Sequence, residues 1–337
     1  MITTLPGLGI RAITAALPPG QLTAEDFARL FGEREAARIR KSTGINSVRI
    51  AEQLSTVDLA YGAAAHLLGT LDLDPHSLDA LVLVTQTPAA LMPASSALLA
   101  ARLGLRHSTA VFDLNMGCSG YVYGLFQASL LIAAGYRRVL LCTGDVISKL
   151  LNPNDHQVRM LFGDAASATL VEAGPHRFSF TFNTDGQGAA HLHTPLRYGP
   201  ASGASAEVGQ LFMDGAQVMN FALDQVPPAL KGFLAGLGLG AAQVPYFLLH
   251  QANAFMLHYL GRTLGLAPSR IPMHLDGIGN SGPSSIPVML SAIPDNPRLC
   301  QNDLIACGFG VGLSVALAHL SLEGTQLLPP VILNPTA

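Results

Sequence analysis

The sequence predicts an α/β fold made of two related halves. Three observations carry this. Short, continuous apolar runs at residues 80–86 (ALVLVTQ), 110–114 (AVFDL) and 138–144 (RVLLCTG) have the composition of strands covered on both faces. Stretches of helical length separate them, SSALLAARLG after Pro93 and the long run 118–134. The same alternation then resumes in the C-terminal part of the chain.

Taken in order, ITTLPGLGIRAITAALPPG reads as a strand ending in a Pro-Gly turn. Thr23 is placed to cap a helix over AEDFARLFG, with Asp26 in its acidic first turn. A further helix starts at Thr56 and runs through DLAYGAAAHLLGTL. After the three central strands, residues 166–173 and 178–183 read as two more. Residues 184–208 are rich in Gly, Ala, Pro and His and read as loop. That loop is unusually long for a passive connection; it either lines a site or a dimer contact or is a plain surface insertion. Helices are expected at 215–221 and 226–235, then a strand in YFLLH and a helix in NAFMLHYLGRTLG. SSIPVMLSAI is helical with Pro287 interrupting its first part, and DLIACGFG and LSVALAHLSL are the closing strands. No Gly/Pro/Ser-rich linker separates free domains. The expected halves are 1–175 and 176–337, packed as one unit.

Composition narrows the function. The chain has 337 residues, of which 49% are hydrophobic and only 12% charged, so a large core and a sizeable subunit interface are expected. The formal net charge is -3 and no Lys/Arg run stands out, which argues against a nucleic-acid partner. Arg34, Arg38, Arg40 and Lys41 form the densest basic stretch, either a solvated helix face or a docking patch for an acidic carrier protein. The four cysteines show neither CxxC nor metal-ligand spacing, so no metal site and no disulfide scaffold is expected. The N-terminus lacks the basic region of a cleaved signal, and the expected location is cytoplasmic. The apolar run LNMGCSGYVYGLFQASLLIAAG is long enough for a membrane span. Its glycines, its polar Ser119, Gln127 and Ser129 and its lead-in strand point instead to a buried helix, with no membrane partner.

Three residues are candidates for chemistry. Cys118 follows a strand and opens a helix, flanked by Gly117 and Gly120, as a nucleophile on a tight turn would. The helix N-terminus is expected to favour its thiolate. The alternative is an inert buried cysteine. His250 ends the YFLLH strand, where α/β proteins place ligand-facing groups; it could equally be a satisfied structural histidine. Asn280 lies among glycines in LDGIGNSGPSSIP, where its amide could orient a histidine or donate to an oxyanion, or simply serve a turn. Glycines 308, 310 and 312 suggest close approach of backbone to a ligand. A cysteine, a histidine and an amide suffice for thioester chemistry.

At these motifs the chain resembles the β-ketoacyl-acyl-carrier-protein synthase III family of the thiolase-like superfamily. The segment around Cys118, HQAN at 250–253, GNSGPSSIP from Gly279, LFGDAASATLV, NTDGQG, FMDGAQVMNFA and GFGVG at 308–312 are similar to family segments, in the family's order. The resemblance implies a five-layer αβαβα fold and a homodimer. It implies acyl transfer to Cys118, then decarboxylative condensation with a malonyl thioester, His250 and Asn280 stabilising the enolate. Cys118 and Val311 amides would form the second oxyanion hole, and Met92 would enter the acyl pocket of the neighbouring subunit. Phe and Leu side chains near the tunnel would set acyl length. No permanently bound cofactor is implied; the substrates would be acyl and malonyl thioesters of acyl-carrier protein or coenzyme A.

The chain also departs from the family. Where the family carries a tryptophan and an arginine before its TGI motif, this sequence has Arg38 and Ser42, and the Asp-Arg pair before FGD reads Asp155-His156. The usual grips on coenzyme A are missing, so a carrier-bound acyl donor meeting Arg34, Arg38, Arg40, Lys41 and His156 is expected. Three alternatives remain. The same fold could pass the acyl group to an alcohol, an amine or water. Thiolase chemistry would need a second cysteine, and Cys307 is out of register for it. The chain could also be a non-catalytic partner of a heteromeric synthase, in which case no tunnel should reach Cys118.

Overall fold

The computed structural model describes residues 1–199, 206–294, 296 and 298–333. Strand β1 (Thr3–Leu17) opens the chain, and the short pair β2 (Gly20–Leu22) and β3 (Val48–Ile50) brackets α1 (Ala24–Phe31) and α2 (Glu33–Thr43). Thr23 caps α1 as its sequence position predicts, in a reciprocal box: its hydroxyl accepts from the Asp26 amide, and the Asp26 carboxylate accepts from the Thr23 amide at 2.9 Å. Ser55 and Asp58 begin α3 (Thr56–Thr70) the same way. Then follow β4 (Ala80–Val84), α4 (Ser95–Arg102), β5 (Ala110–Leu114), α5 (Gly120–Ala133), β6 (Arg138–Asp145), the single turn α6 (His156–Arg159) and β7 (Ala165–Thr184). Four short strands, β8 (Leu192–His193), β9 (Leu196–Tyr198), β10 (Ala206–Val208) and β11 (Phe212–Met213), lead to α7 (Gly215–Gly236). The chain closes with β12 (Phe247–Leu249), α8 (Ala254–Thr263), α9 (Ser285–Ala292), β13 (Asp303–Gly310), β14 (Ser314–Ser321), β15 (Gln326–Leu327) and β16 (Val331–Ile332).

Two sheets are continuous through β1 and β7. The first half of β7 pairs with β6, and β6 continues to β4 and β5 in parallel. The second half pairs with β14, which continues to β13 and β12. The 175/176 boundary therefore falls inside a continuous strand. Helices α3 and α4 cover the outer face of the first sheet, and α7, with α8 packed on it, covers the outer face of the second. Between the sheets lie α5 and α9, giving the αβαβα order. Val84, Val122, Leu125 and Leu141 meet Leu248, Ile286, Met289 and Ala316 in this central layer, all at most 1% exposed. Each such Val, Leu or Ile contributes about 1.5–3 kcal/mol, enough in sum to bind the halves into one body.

Four sequence expectations are corrected. Residues 166–173 and 178–183 belong to one strand, because Gly174-Pro175 forms an irregularity opposite Leu8 rather than a turn. The helices at 215–221 and 226–235 are one helix, α7, continuous across Pro227 and Pro228. Buried Val226, Leu230, Phe233 and Leu234 hold it against the second sheet despite the two missing N–H donors. Pro287 does not interrupt α9: it stands in the first turn, where its amide would have no intrahelical partner. The stretch 184–208 is not plain loop, since β8 pairs with β11 and β9 with β10; residues 200–205 of it lie outside those described. Among the described residues no helix is long and apolar enough to cross a membrane.

Candidate active site

Helix α5 starts at Gly120, so Cys118 stands on the turn that joins β5 to the central helix. The glycines predicted to allow close approach do so against this residue. A Cβ on Gly310, whose φ is +149°, would lie 2.7 Å from the Cys118 Cβ, and one on Gly308 would lie 2.6 Å from the Ser119 Cα. The terminal strand β13 thus presses its backbone directly onto the cysteine. Val311, just beyond that strand, directs its backbone N–H at the Cys118 sulfur.

Two cavities meet at Cys118. The first, about 310 Å³, is walled by Gln86, Asn115, Asp145, Ile147, Leu150, Phe162, Leu192, His193, Thr194, Leu211 and Val311, among others. The second, about 190 Å³, is bordered by His250, Asn253, Asn280, Phe309 and a run of Met213, Met219 and Met256. Cys118, His250 and Asn280 therefore share one space, although 30 to 162 residues separate them in the chain.

His250 is 1% exposed and tied down at both ends. Its amide donates to the Cys307 carbonyl at 2.8 Å, and its Nδ1 is 2.6 Å from the Ser285 hydroxyl. The direction of the second bond follows from counting hydrogens. Ser285 Oγ already accepts from the Gln251 amide at 3.3 Å, and its single proton has no other acceptor among the described residues than Nδ1. The proton of a neutral imidazole then resides on Nε2, which has no partner among the described residues. Asn280, 4% exposed, uses its Oδ1 to accept from the Gly282 amide at 3.0 Å, which leaves its Nδ2 as a free donor. Its backbone is pinned on both sides, donating to the Leu161 carbonyl at 2.8 Å and accepting from the Gly163 amide at 3.1 Å. Gln251 and Asn253 of HQAN act on the backbone: Gln251 donates to the Leu249 carbonyl, and Asn253 caps α8.

The electrostatics correct one expectation. The helix N-terminus was expected to favour the thiolate, yet burial pushes the Cys118 thiol up to about 11. The nearby Asp145 charge adds to this, while the amides of Val311 and Cys118 pull the other way. Burial lowers His250 to about 3. Both shifts oppose moving the Cys118 proton to His250 in the resting site. Burial thus favours the neutral form of both groups, and a neutral His250 keeps an N–H at Nε2.

The remaining sequence candidates divide. Met92 lines neither cavity of its own chain and is 82% exposed beside Leu91 at 58%. Arg34, Arg38, Arg40, Lys41 and His156 line neither cavity either. Glu35 joins two of them, accepting from Arg38 at 3.0 Å and lying 3.1 Å from His156 Nε2. Arg40 donates to Asn46, and Lys41 borders a separate surface groove with Ser42, Phe255, His258 and Arg262. Cys307, fully buried, lines neither cavity, so it supplies no second thiol of the thiolase kind. Sequence reasoning missed Ser285, Gln86, Asn115 and Asp145. Ser285 and Asn115 lie inside the motifs around Asn280 and Cys118 but carry no signal of their own there, and a serine-rich helix start and a threonine-rich strand end are common structural features.

An αβαβα stack with its cysteine at the start of the central helix places the protein in the thiolase-like class of acyl-handling condensing enzymes. Comparison with known proteins narrows this. The profile described as 3-oxoacyl-[acyl-carrier-protein (ACP)] synthase III matches residues 112–186, and its C-terminal counterpart matches residues 234–322. The chain is 34% identical to a β-ketoacyl-[acyl-carrier-protein] synthase III of Symbiobacterium thermophilum, over 91% of this chain and 95% of that one. It is 31% identical to the protein of that name in Lactococcus lactis subsp. lactis, over 93% and 98%. The crystal structure of a 3-oxoacyl-(acyl-carrier protein) synthase from Burkholderia xenovorans superimposes with a TM-score of 0.92 at 34% identity, covering 99% of both chains. The chain belongs to the β-ketoacyl-acyl-carrier-protein synthase III family.

Proposed function

We propose that the protein loads an acyl group onto Cys118 and condenses it with a malonyl thioester, releasing carbon dioxide and a β-ketoacyl thioester. One observation carries the reading: Cys118 lies where two cavities join, and one of them holds two donors without an acceptor among the described residues, His250 Nε2 and Asn280 Nδ2. In loading, the Cys118 sulfur attacks the thioester carbonyl. The bond from that carbon to the donor's sulfur breaks, and the thiol proton ends on the departing thiol. The Val311 and Cys118 amides hold the carbonyl oxygen as it takes up charge. In the second step the malonyl carbonyl accepts from His250 and Asn280. Its carboxylate leaves as carbon dioxide, and the enolate carbon attacks the acyl carbon. The bond to Cys118 then breaks, and the departing thiolate takes a proton from solvent to restore the thiol.

This assigns the pantetheine arm and malonyl group to the second cavity and the acyl tail to the first. Asn115, on the wall of the first cavity, directly follows β5, a half-exposed strand at the edge of its sheet. An unpaired apolar edge invites a second copy, which supports a homodimer whose Met92 closes the neighbour's acyl cavity. The acyl donor is a carrier-protein thioester: Glu35 already engages Arg38 and His156, two of the positions where the family grips coenzyme A, while the basic charge of Arg34 and Lys41 suits an acidic carrier surface.

Intact-mass analysis of the native protein and of Cys118→Ala with acyl-pantetheine and acyl-carrier donors tests the central claim. The native chain is expected to gain one acyl mass and the variant none. Loading that survives in Cys118→Ala would sink the proposal.

A further inference from the structure

The first cavity offers more polar chemistry than a hydrocarbon tail needs. Asp145, at the end of β6, is 3% exposed. Its Oδ1 accepts from the Thr85 hydroxyl at 2.9 Å, the Gln86 amide at 2.8 Å, and the amide and hydroxyl of Thr87 at 3.0 Å. Its Oδ2 receives no hydrogen bond from the described residues. That oxygen lies beside Gly282, another wall residue, 3.1 Å from where a Cβ there would stand. Gln86 donates its Nε2 to Asn115 Oδ1 at 3.2 Å. This fixes the amide with its Oε1 over Gly117, beside Cys118 and without a donor, and it leaves Asn115 Nδ2 without an acceptor among the described residues.

Two acceptors and one donor thus border the space next to the nucleophile. Ile147, Leu150, Phe162, Leu192 and Leu211 supply the apolar remainder. A purely alkyl chain would strip water from Asp145 Oδ2 and Gln86 Oε1 and give nothing back. An acidic chain would meet the Asp145 charge. A hydroxyl answers two of the three at once, donating its one proton to either acceptor and accepting from Asn115.

We infer that the acyl group taken up at Cys118 carries a hydrogen-bond donor close to its thioester, and that this donor is a hydroxyl, selected by Gln86, Asn115 and Asp145. The inference rests on the acyl-enzyme reading above and names its substrate class. Desolvation lifts Asp145 to about 6, so the carboxylate remains largely ionised at neutral pH and available as an acceptor.

The test uses the full-length protein and three pantetheine thioesters of equal length: butyryl, 3-hydroxybutyryl and 3-aminobutyryl. Loading rates at Cys118 are read by intact mass. The hydroxybutyryl group is expected to load at least about tenfold faster than butyryl, a conservative share of what a paired polar site discriminates. In Gln86→Leu the ratio is expected to fall towards one. Asn115→Ala, at an exposed position, provides the same reading if the first variant does not fold. Butyryl loading as fast as hydroxybutyryl in the native protein overturns the inference and leaves the acyl-enzyme reading standing. Faster loading of aminobutyryl replaces the hydroxyl with a cationic donor and overturns the assignment of class. Failure of all three to load removes the acyl-enzyme reading and this inference with it.

Discussion

The two cavities that meet at Cys118 are walled by different chemistry. The second is soft: Met213, Met219 and Met256 surround it, and its polar groups are concentrated at His250, Asn253 and Asn280. The first is stiffer and more polar, with a carboxylate and an amide pair held by strand ends. Thioether side chains accommodate a flexible arm without selecting it, while fixed donors and acceptors discriminate. The second cavity therefore fits reaction chemistry common to every substrate, and the first fits choice among substrates.

The sharpest way to break this division is to remove the donors of the second cavity. His250→Ala and Asn280→Ala are each expected to lower malonyl decarboxylation by about 10²–10³, the usual effect of deleting one donor from an oxyanion site. Loading of Cys118 should fall far less. Equal losses in both steps, measured by single-turnover mass spectrometry and carbon dioxide release, would show that the cavities do not divide the labour.

The pH dependence of loading sharpens it next. Cys118 rests as a thiol near 11, above its ordinary value, so the reactive thiolate fraction grows about tenfold per pH unit below that point. His250, held near 3, stays neutral throughout the working range and contributes no rising limb of its own. Loading from a pantetheine thioester should climb steadily between pH 6 and 9 without a plateau. A plateau beginning near pH 7 would mean that the thiol is activated in the free protein and that burial does not govern it.

Ser285→Ala carries a smaller expected effect. Without its hydroxyl the imidazole loses the bond that places its proton on Nε2. Decarboxylation should fall by about tenfold, the worth of one hydrogen bond to an orienting partner, with KM for the malonyl thioester nearly unchanged. Ser285→Thr should recover most of the loss, and the ring-nitrogen NMR shifts of His250 should report the altered tautomer. An unchanged tautomer in Ser285→Ala would remove the orienting role.

Much of this site is legible in the sequence because its parts sit in local motifs. Cys118 follows a strand and precedes a helix, His250 ends a strand, and Asn280 lies among glycines. Each arrangement is a short-range signal. The long helix α7 was misread because Pro227-Pro228 is a local stop signal that tertiary packing overrides. β7 was misread for the converse reason: Gly174-Pro175 resembles a turn until β1 pairs across it. The thiol was expected to be activated because a helix N-terminus is visible in sequence, whereas desolvation depends on β13 closing over it from 190 residues away. Ser285, Asp145 and the Gln86–Asn115 pair escaped because their roles exist only in contacts between elements.

The smallest expected effect lies outside both cavities. Of the five basic groups predicted to meet a donor, Arg38 and His156 are engaged by Glu35, and Arg40 bonds Asn46. Arg34 and Lys41 are exposed and form no salt bridge among the described residues. An acidic carrier protein would meet these two charges in water, where screening leaves each interaction small and strongly salt-dependent. Arg34→Glu and Lys41→Glu should each slow loading from a carrier-protein thioester by about threefold at low salt, chiefly through the association rate, and by less at high salt. Arg38→Ala should change it less, because its charge is already answered within α2. Loading from the matched coenzyme A thioester should be slower than from the carrier and indifferent to the Arg34 and Lys41 changes, since coenzyme A presents no acidic protein surface to them. Carrier loading that ignores both substitutions and salt would identify the basic stretch as a solvated helix face, and equal or faster loading from coenzyme A would remove the carrier preference itself.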